Sequence, residues 1–328
     1  MISSLLLTLQ RRLLARASGR RTGGSPRIAV IGNCQATALA AAMDLLLPKA
    51  DVRAISVYRL AQRYPSLSDL VADLAGSDVV FATAFATRFR DGGTFEDLRA
   101  AVPLVAVPTL VFPAFHPDLV YVGDPTDAAR GFLRGPIGTY HSALALFGYL
   151  EGFDERRTAR LFTADIYRRL GYLDLWQASA DTLLKLGRDA QYDLAEELLR
   201  WTRRGPFMHT INHPKMFAVN DLARGLLRKA GIPFADCDLD SYAPDEIVKL
   251  GSWPVYPPIA EQYGAAGSEV FLAPATKRSP PRTMGLAELL RDSFAAYGAA
   301  APDRLVNDRV ALWRGAEEIR GELARATA

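Results

Sequence analysis

The sequence predicts an α/β protein: a doubly wound parallel sheet followed by a large, mainly helical second half. Three observations point there. Over residues 27–107, short apolar runs alternate with stretches of helical composition, the rhythm of strand–helix crossovers in a parallel sheet. After residue 108 that rhythm stops, and from about 126 to 204 the periodicity is mostly helical. The chain has 328 residues, 49% hydrophobic and 23% charged, an ordinary globular composition and long enough to bury a core without staples.

The elements follow in order. Arg27-Ile28-Ala29-Val30-Ile31 is apolar and stops at Gly32, the mark of a buried strand. Residues 35–47 are rich in alanine and leucine, and Pro48 ends them as a helix. Val52 to Val57 reads as the second strand and 67–75 as a helix. Asp78-Val79-Val80-Phe81-Ala82 reads as the third strand, 94–100 as a helix and Leu104-Val105-Ala106-Val107 as the fourth strand. Residues 108–125, rich in Pro, Phe and Asp, read as an ordered loop at the sheet edge. Helices are expected over 126–134, 139–150, 155–170, 173–187 and 191–203, punctuated by Gly135-Pro136 and Gly205-Pro206. Residues 207–231 read as a loop and then a helix opened by Pro214. Residues 242–282 carry little periodicity, and 285–298 and 303–326 read as two closing helices. The expected division is a basic, unordered leader over 1–26, a parallel α/β core over 27–125, and a helical region over 126–328 that completes the same catalytic unit.

Charge is uneven. Residues 1–27 hold six arginines and no acid, so removing those six from the net +3 leaves −3 for the rest. No basic stripe marks a nucleic-acid surface. Residues 2–21 read either as a weak membrane-surface contact or as a poorly ordered leader. No run reaches the ~18 apolar residues of a membrane span. Two cysteines, Cys34 and Cys237, make no disulfide framework and favour a reducing compartment. The expected location is the cytoplasm, at the inner face of the membrane if the arm makes its contact.

In an open parallel sheet, ligands bind outside the carboxyl ends of the strands. The first strand ends at Gly32-Asn33-Cys34-Gln35, directly before a helix. Gly32 permits a tight turn, Asn33 offers an amide to an oxyanion, and Cys34 is a potential nucleophile. Unpaired N–H groups at the helix start would lower its thiol pKa. Cys34 reads equally well as a small buried residue filling the turn. The four histidines sit in polar, turn-rich phrases: Phe115-His116-Pro117-Asp118, Tyr140-His141-Ser142, and His209-Thr210-Ile211-Asn212-His213-Pro214-Lys215. Histidine is the usual base for a thiol near neutral pH. His209 and His213 are four apart, but no Glu follows His209 and Pro214 sits before the helix, so no metal site is expected. Arg88 and Arg90 precede Gly92-Gly93 and could hold phosphate, or simply line a solvated loop.

Taken together, Ile31-Gly32-Asn33-Cys34-Gln35, Phe115-His116-Pro117-Asp118, Tyr140-His141-Ser142 and Asn212-His213-Pro214-Lys215, in that order, resemble the WcbI-type polysaccharide biosynthesis proteins. The resemblance spans roughly 27–230. It implies an SGNH-esterase-like or flavodoxin-like layout, with Cys34 where those esterases carry serine. It implies acetyl transfer in capsule assembly, with coenzyme A or acetyl-CoA as ligand and a sugar or polysaccharide precursor as acceptor. Carried over on the matching phrases, Cys34, His116, His141 and His213 are candidate catalytic residues, with Asn33 beside them; which histidine is the base stays open. Gly32, Gln35, Arg88, Arg90 and Lys215 are candidate cofactor-binding residues. Two routes fit: a Cys34 thioester relay, or direct attack by a sugar hydroxyl with a histidine base. The alternatives are a Cys–His acyl esterase and a non-catalytic coenzyme A-binding protein of an envelope pathway.

Overall fold

The computed structural model describes residues 25–86, 89, 91–124, 130–276 and 279–327. Four strands, β1 (Arg27–Gly32), β2 (Asp51–Ser56), β3 (Val79–Ala82) and β4 (Leu104–Ala106), form one parallel sheet in the order β2-β1-β3-β4. Each begins and ends within a residue of its expected place.

The central strands β1, beyond Arg27, and β3 are apolar because both faces are covered, whereas the edge strand β2 carries Asp51, Arg53 and Ser56 at more exposed positions. Ile28 and Val30 of β1, with Val79 and Phe81 of β3, join a core shared with helix α1 (Cys34–Leu46). Ala29 and Ile31, with Val80 and Ala82, join a second core on the other face, closed by α2 (Leu67–Leu74) and α3 (Phe95–Ala101). From β1 the chain goes to β2 on one side and β3 on the other. The winding therefore reverses between β1 and β3, and the crevice outside their carboxyl ends is where such sheets take ligands.

Beyond the sheet, β5 (Leu119–Tyr121) pairs antiparallel with β6 (Tyr140–Ser142), which runs into α4 (Ala143–Leu150). Later come α5 (Trp176–Asp189), α6 (Ala195–Arg203) and α7 (Met216–Lys229), of which α7 packs on α1. A ladder of β7 (Phe271–Ala273) with β8 (Arg282–Met284) precedes α8 (Leu286–Gly298), α9 (Asp308–Gly315) and α10 (Glu317–Arg325). Among the described residues no helix is long and apolar enough to cross a membrane.

Four helices differ from expectation. In the stretch 126–134, residues 130–134 are turn and coil, with Gly131 in the left-handed region at φ 57°. The stretch 139–150 starts as β6, and the helix waits for Ala143 because the Ser142 hydroxyl caps it, accepting from Ala145 N at 3.0 Å. The stretch 155–170 is two helices, Glu155–Ala159 and Ala164–Arg169, each with its own cap, Asp154 and Thr163. The stretch 303–326 breaks at Ala316, which is extended at ψ 102°. The arginine-rich leader up to residue 24, Arg88 and Arg90 lie outside the described residues.

Candidate active site

The carboxyl end of β1 delivers the Gly32–Gln35 turn to the crevice. Gly32 is needed for close approach rather than for an unusual φ: a Cβ there would lie 2.9 Å from Thr83 Oγ1 and 3.1 Å from Ala36 Cβ. Asn33 is the N-cap of α1, its Oδ1 accepting from Gln35 N at 3.0 Å. That spends the amide oxygen and leaves the NH2 end for a ligand. Cys34 opens the helix and is partly buried. Burial pushes its thiol up, outweighing the N–H groups of Cys34 and Gln35 that pull it down. The lowered thiol pKa expected from the helix start is thus corrected: desolvation wins. Among the described residues no imidazole is hydrogen-bonded to the sulfur.

Gln35 is a tie. Its Nε2 donates to Leu110 O and to Asn212 O, both at 2.9 Å, and its Oε1 accepts from Leu110 N at 3.1 Å. With both ends of the amide occupied, Gln35 anchors the 207–215 loop beside Cys34 and has no free group for a cofactor. The loop is itself closed by His209 N donating to His213 O at 2.6 Å and by a bridge between Met208 and Pro214.

On this loop Asn212 organises a chain of hydroxyls. Tyr140 Oη donates to Asn212 Oδ1 at 2.5 Å, and Asn212 Nδ2 donates to Tyr121 Oη at 3.0 Å. The distances suit an oxygen at the first contact and a nitrogen at the second. Tyr140 Oη also lies 3.2 Å from His213 Nε2. Since Tyr140 has given its proton to Asn212, His213 must donate from Nε2, which leaves Nδ1 as a bare lone pair. That nitrogen is buried without a partner. Burial, with help from the charge of His209, pushes His213 down to about 4, against the pull of Asp245. The hydroxyls of Tyr58 and Tyr121 are raised, by burial first and also by the negative charge of a Cys34 thiolate. The Tyr58 ring is 72% exposed at the turn after β2.

The other histidines point elsewhere. His116 is 2% exposed, with Nε2 3.3 Å from Met208 O. His141 follows Tyr140 along β6, so it faces the opposite side of that strand. It is 1% exposed, with Nε2 3.1 Å from Leu133 O and Nδ1 3.2 Å from Tyr297 Oη. Burial pushes both rings down to about 4. Asp118, fully buried, accepts from Leu144 N at 3.0 Å, Tyr172 Oη at 3.1 Å and Tyr256 Oη at 3.1 Å, and its carboxyl is raised by burial. Lys215 is half-buried at the start of α7, its amine lowered by burial and held up by Asp245. His209 Nε2 pairs with Asp245 Oδ2 at 2.6 Å. The structure thus gathers Cys34, Asn33, His213 and Lys215 around one loop, and sets His116 and His141 into the interior behind it. Tyr58, Tyr121 and Asp245 were not singled out from sequence. Tyr140 lies in the Tyr140-His141-Ser142 phrase, where the chemical signal of the sequence falls on its neighbour His141.

The family model described as polysaccharide biosynthesis enzyme WcbI matches residues 27–235. The chain belongs to the WcbI family of polysaccharide biosynthesis enzymes. A solved structure of WcbI, described as native protein without the disulfide bond between coenzyme A and a cysteine, has a TM-score of 0.68 and 15% identity to this chain. The match covers 92% of this chain and 99% of that one, so the two share a fold. No curated protein matches the chain. For the WcbI family member, the four phrases are now an interlock: Gln35 ties to Asn212, Tyr140 to Asn212 and His213, His116 to Met208, and Asp118 to the first turn of α4.

Proposed function

We propose that this WcbI family member is a coenzyme A-dependent O-acyltransferase, with acetyl-CoA as donor and a glycan or glycan precursor as acceptor. The observation that carries the reading is the position of Cys34, partly exposed on the first turn of α1 at the carboxyl end of β1. The solved WcbI, by its description, has a cysteine able to pair with coenzyme A. Cys34 is the fitting counterpart, because Cys237 falls beyond the family match. The thiol of coenzyme A then lies against Cys34, and the acyl carbonyl meets the Asn33 amide and the first-turn N–H groups, donors of the kind that stabilise an oxyanion. Lys215, together with Arg88 and Arg90, is suited to the phosphates. An SGNH-esterase-like layout belongs to the same proposal, since those enzymes also put the reactive side chain after the first strand.

The raised thiol favours direct transfer over a resting thiolate. Cys34 then positions the thioester while the acceptor hydroxyl attacks it. His116 acts as an interior tie to the loop at Met208, His141 as one between β6, Leu133 and Tyr297, and His213 orients the Tyr140–Asn212–Tyr121 chain.

The test is calorimetric binding of coenzyme A and acetyl-CoA to wild type and Cys34→Ala, with release of free thiol followed in the presence and absence of glycan acceptors. Binding with acceptor-dependent release is expected. Release without an acceptor marks a hydrolase, binding without release marks a ligand-binding protein, and no binding by wild type removes coenzyme A from the account. Release that survives Cys34→Ala marks direct transfer.

A further inference from the structure

We propose that His209, oriented by Asp245, is the base that takes the proton from the acceptor hydroxyl. This rests on the acyl-transfer reading and adds the residue that reading lacks. Asp245 and Ser252, which build the arrangement, both lie beyond residue 235, where the family match ends.

Geometry fixes each atom. Asp245 Oδ1 accepts from Ile247 N at 3.0 Å and Val248 N at 2.9 Å, so the carboxylate cannot turn. Its Oδ2 lies 2.6 Å from His209 Nε2. Burial raises this carboxyl, but the His209 hydrogen bond and the two N–H groups hold it below the usual range, so it is an anion and accepts. Nε2 of neutral His209 therefore carries the proton, and the lone pair is on Nδ1. A hydroxyl, Ser252 Oγ, stands 3.4 Å from Nδ1. Ser252 is held there by its bridge to Leu272 and by Trp253 N donating to His209 O at 2.8 Å. An oriented carboxylate, an imidazole and a hydroxyl in this sequence form the arrangement that removes hydroxyl protons in acyl-transfer enzymes. The Ser252 backbone is fixed by its N–H donating to Leu272 O, and its hydroxyl marks how an acceptor hydroxyl approaches the base.

Placement supports the role. His209 sits on the loop whose far end, Asn212, is tied through Gln35 to Cys34. The remaining three histidines are at most 5% exposed and depressed to about 4, too weakly basic to take a proton near neutral pH. His209 differs in having a carboxylate partner and a side chain 11% exposed. In the step, the acceptor O–H gives its proton to Nδ1, its oxygen bonds the acyl carbon, the carbon–sulfur bond breaks, and the proton passes to the departing sulfur.

Two measurements decide it. Diethyl pyrocarbonate acylates an accessible, unprotonated imidazole nitrogen, and mass spectrometry maps where. His209 should label before His116, His141 and His213, and Asp245→Asn should slow it several-fold. Thiol release from acetyl-CoA, with water or methyl glycosides as acceptor probes, should fall about 100-fold in His209→Gln, while coenzyme A affinity stays within about twofold. Labelling of His209 no faster than the buried three, or release at the wild-type rate in His209→Gln, overturns the proposal and leaves acyl transfer standing. A wild type that releases no thiol fells the acyl-transfer reading, and this proposal with it.

Discussion

Residues 27–106 and residues 107–276 are held together by different means. In the first region, consecutive strand residues feed two apolar cores in alternation, and the hydrogen bonds include ladders, local caps such as Ser66 with Asp69 and Thr94 with Asp97, and solvent-side pairs such as Arg53 with Asp73. The second is tied to the first, and within itself, by single buried polar side chains that join segments far apart: Gln35 of α1 reaches Leu110 and Asn212, His116 reaches Met208, and Asp118 gathers Leu144, Tyr172 and Tyr256. Apolar layers tolerate replacement because volume is shared among many neighbours. A buried polar tie has no such reserve, because each lost partner leaves a desolvated group unpaired. The loops that shape the crevice depend on the second kind.

The contrast predicts where single changes are most damaging. Asp118→Ala strands an N–H and two hydroxyls in the interior, and should cost on the order of 3–5 kcal/mol in urea unfolding. Leu39→Ala on the sheet side should cost about 2–4 kcal/mol through lost volume alone. An Asp118→Ala cost below about 1 kcal/mol would show that the interlock relaxes around the gap, and would end the distinction drawn between the two regions.

Next in size is acid sensitivity. His116, His141 and His213 have folded pKa values near 4 against an ordinary 6.5, so the unfolded chain binds protons first. Their contribution is complete above about 6.5 and is lost as pH falls from there through about 4, up to about 3 kcal/mol for each. Asp118, raised instead, has the opposite sign: its share is present at low pH and lost as pH rises through its folded value. The melting temperature should therefore drop steeply between pH 6.5 and 4, and His141→Gln should flatten that slope. An equal slope in the variant would assign the acid sensitivity to other groups. Gln35→Leu comes third, at about 2 kcal/mol. It should also weaken coenzyme A binding, since Asn212 loses its anchor; unchanged binding would show that the loop is placed without it.

Much of the sheet was readable in advance. Strands buried on both faces are short apolar runs with helices between, and Ile28 to Gly32 carries that signal in its own composition. The helical half was readable only in part, because Ser142, Asp154 and Thr163 cap helices inside stretches whose periodicity looked continuous. Of the site, Cys34 was visible from its place after the first strand. Asp245 was not: it is 36 residues from His209, and no spacing announces a pairing made by chain folding. The thiol was misjudged for a related reason. The helix start is a local feature that sequence displays, whereas the burial that overrides it is made only when the chain folds, as with the 207–215 loop that Gln35 ties beside the turn.

Gly32 stands at the crevice end of the first region, and it gives the smallest effect and the sharpest check. Its missing Cβ leaves room for Thr83, at the end of β3, to stand close to the first turn of α1. Gly32→Ala should cost about 1–2 kcal/mol by overpacking. The strain should be relieved in the double variant with Thr83→Ala, because the nearest atom, Oγ1 at 2.9 Å, and Cγ2 at 3.3 Å both belong to Thr83, with Ala36 Cβ between them in distance. Rescue of stability together with coenzyme A binding would place the constraint at the strand ends, within the apolar layers of the sheet. Failure of rescue would shift it to Ala36, 3.1 Å away on α1, so that an added methyl pushes the helix, and Cys34 with it, out of the crevice.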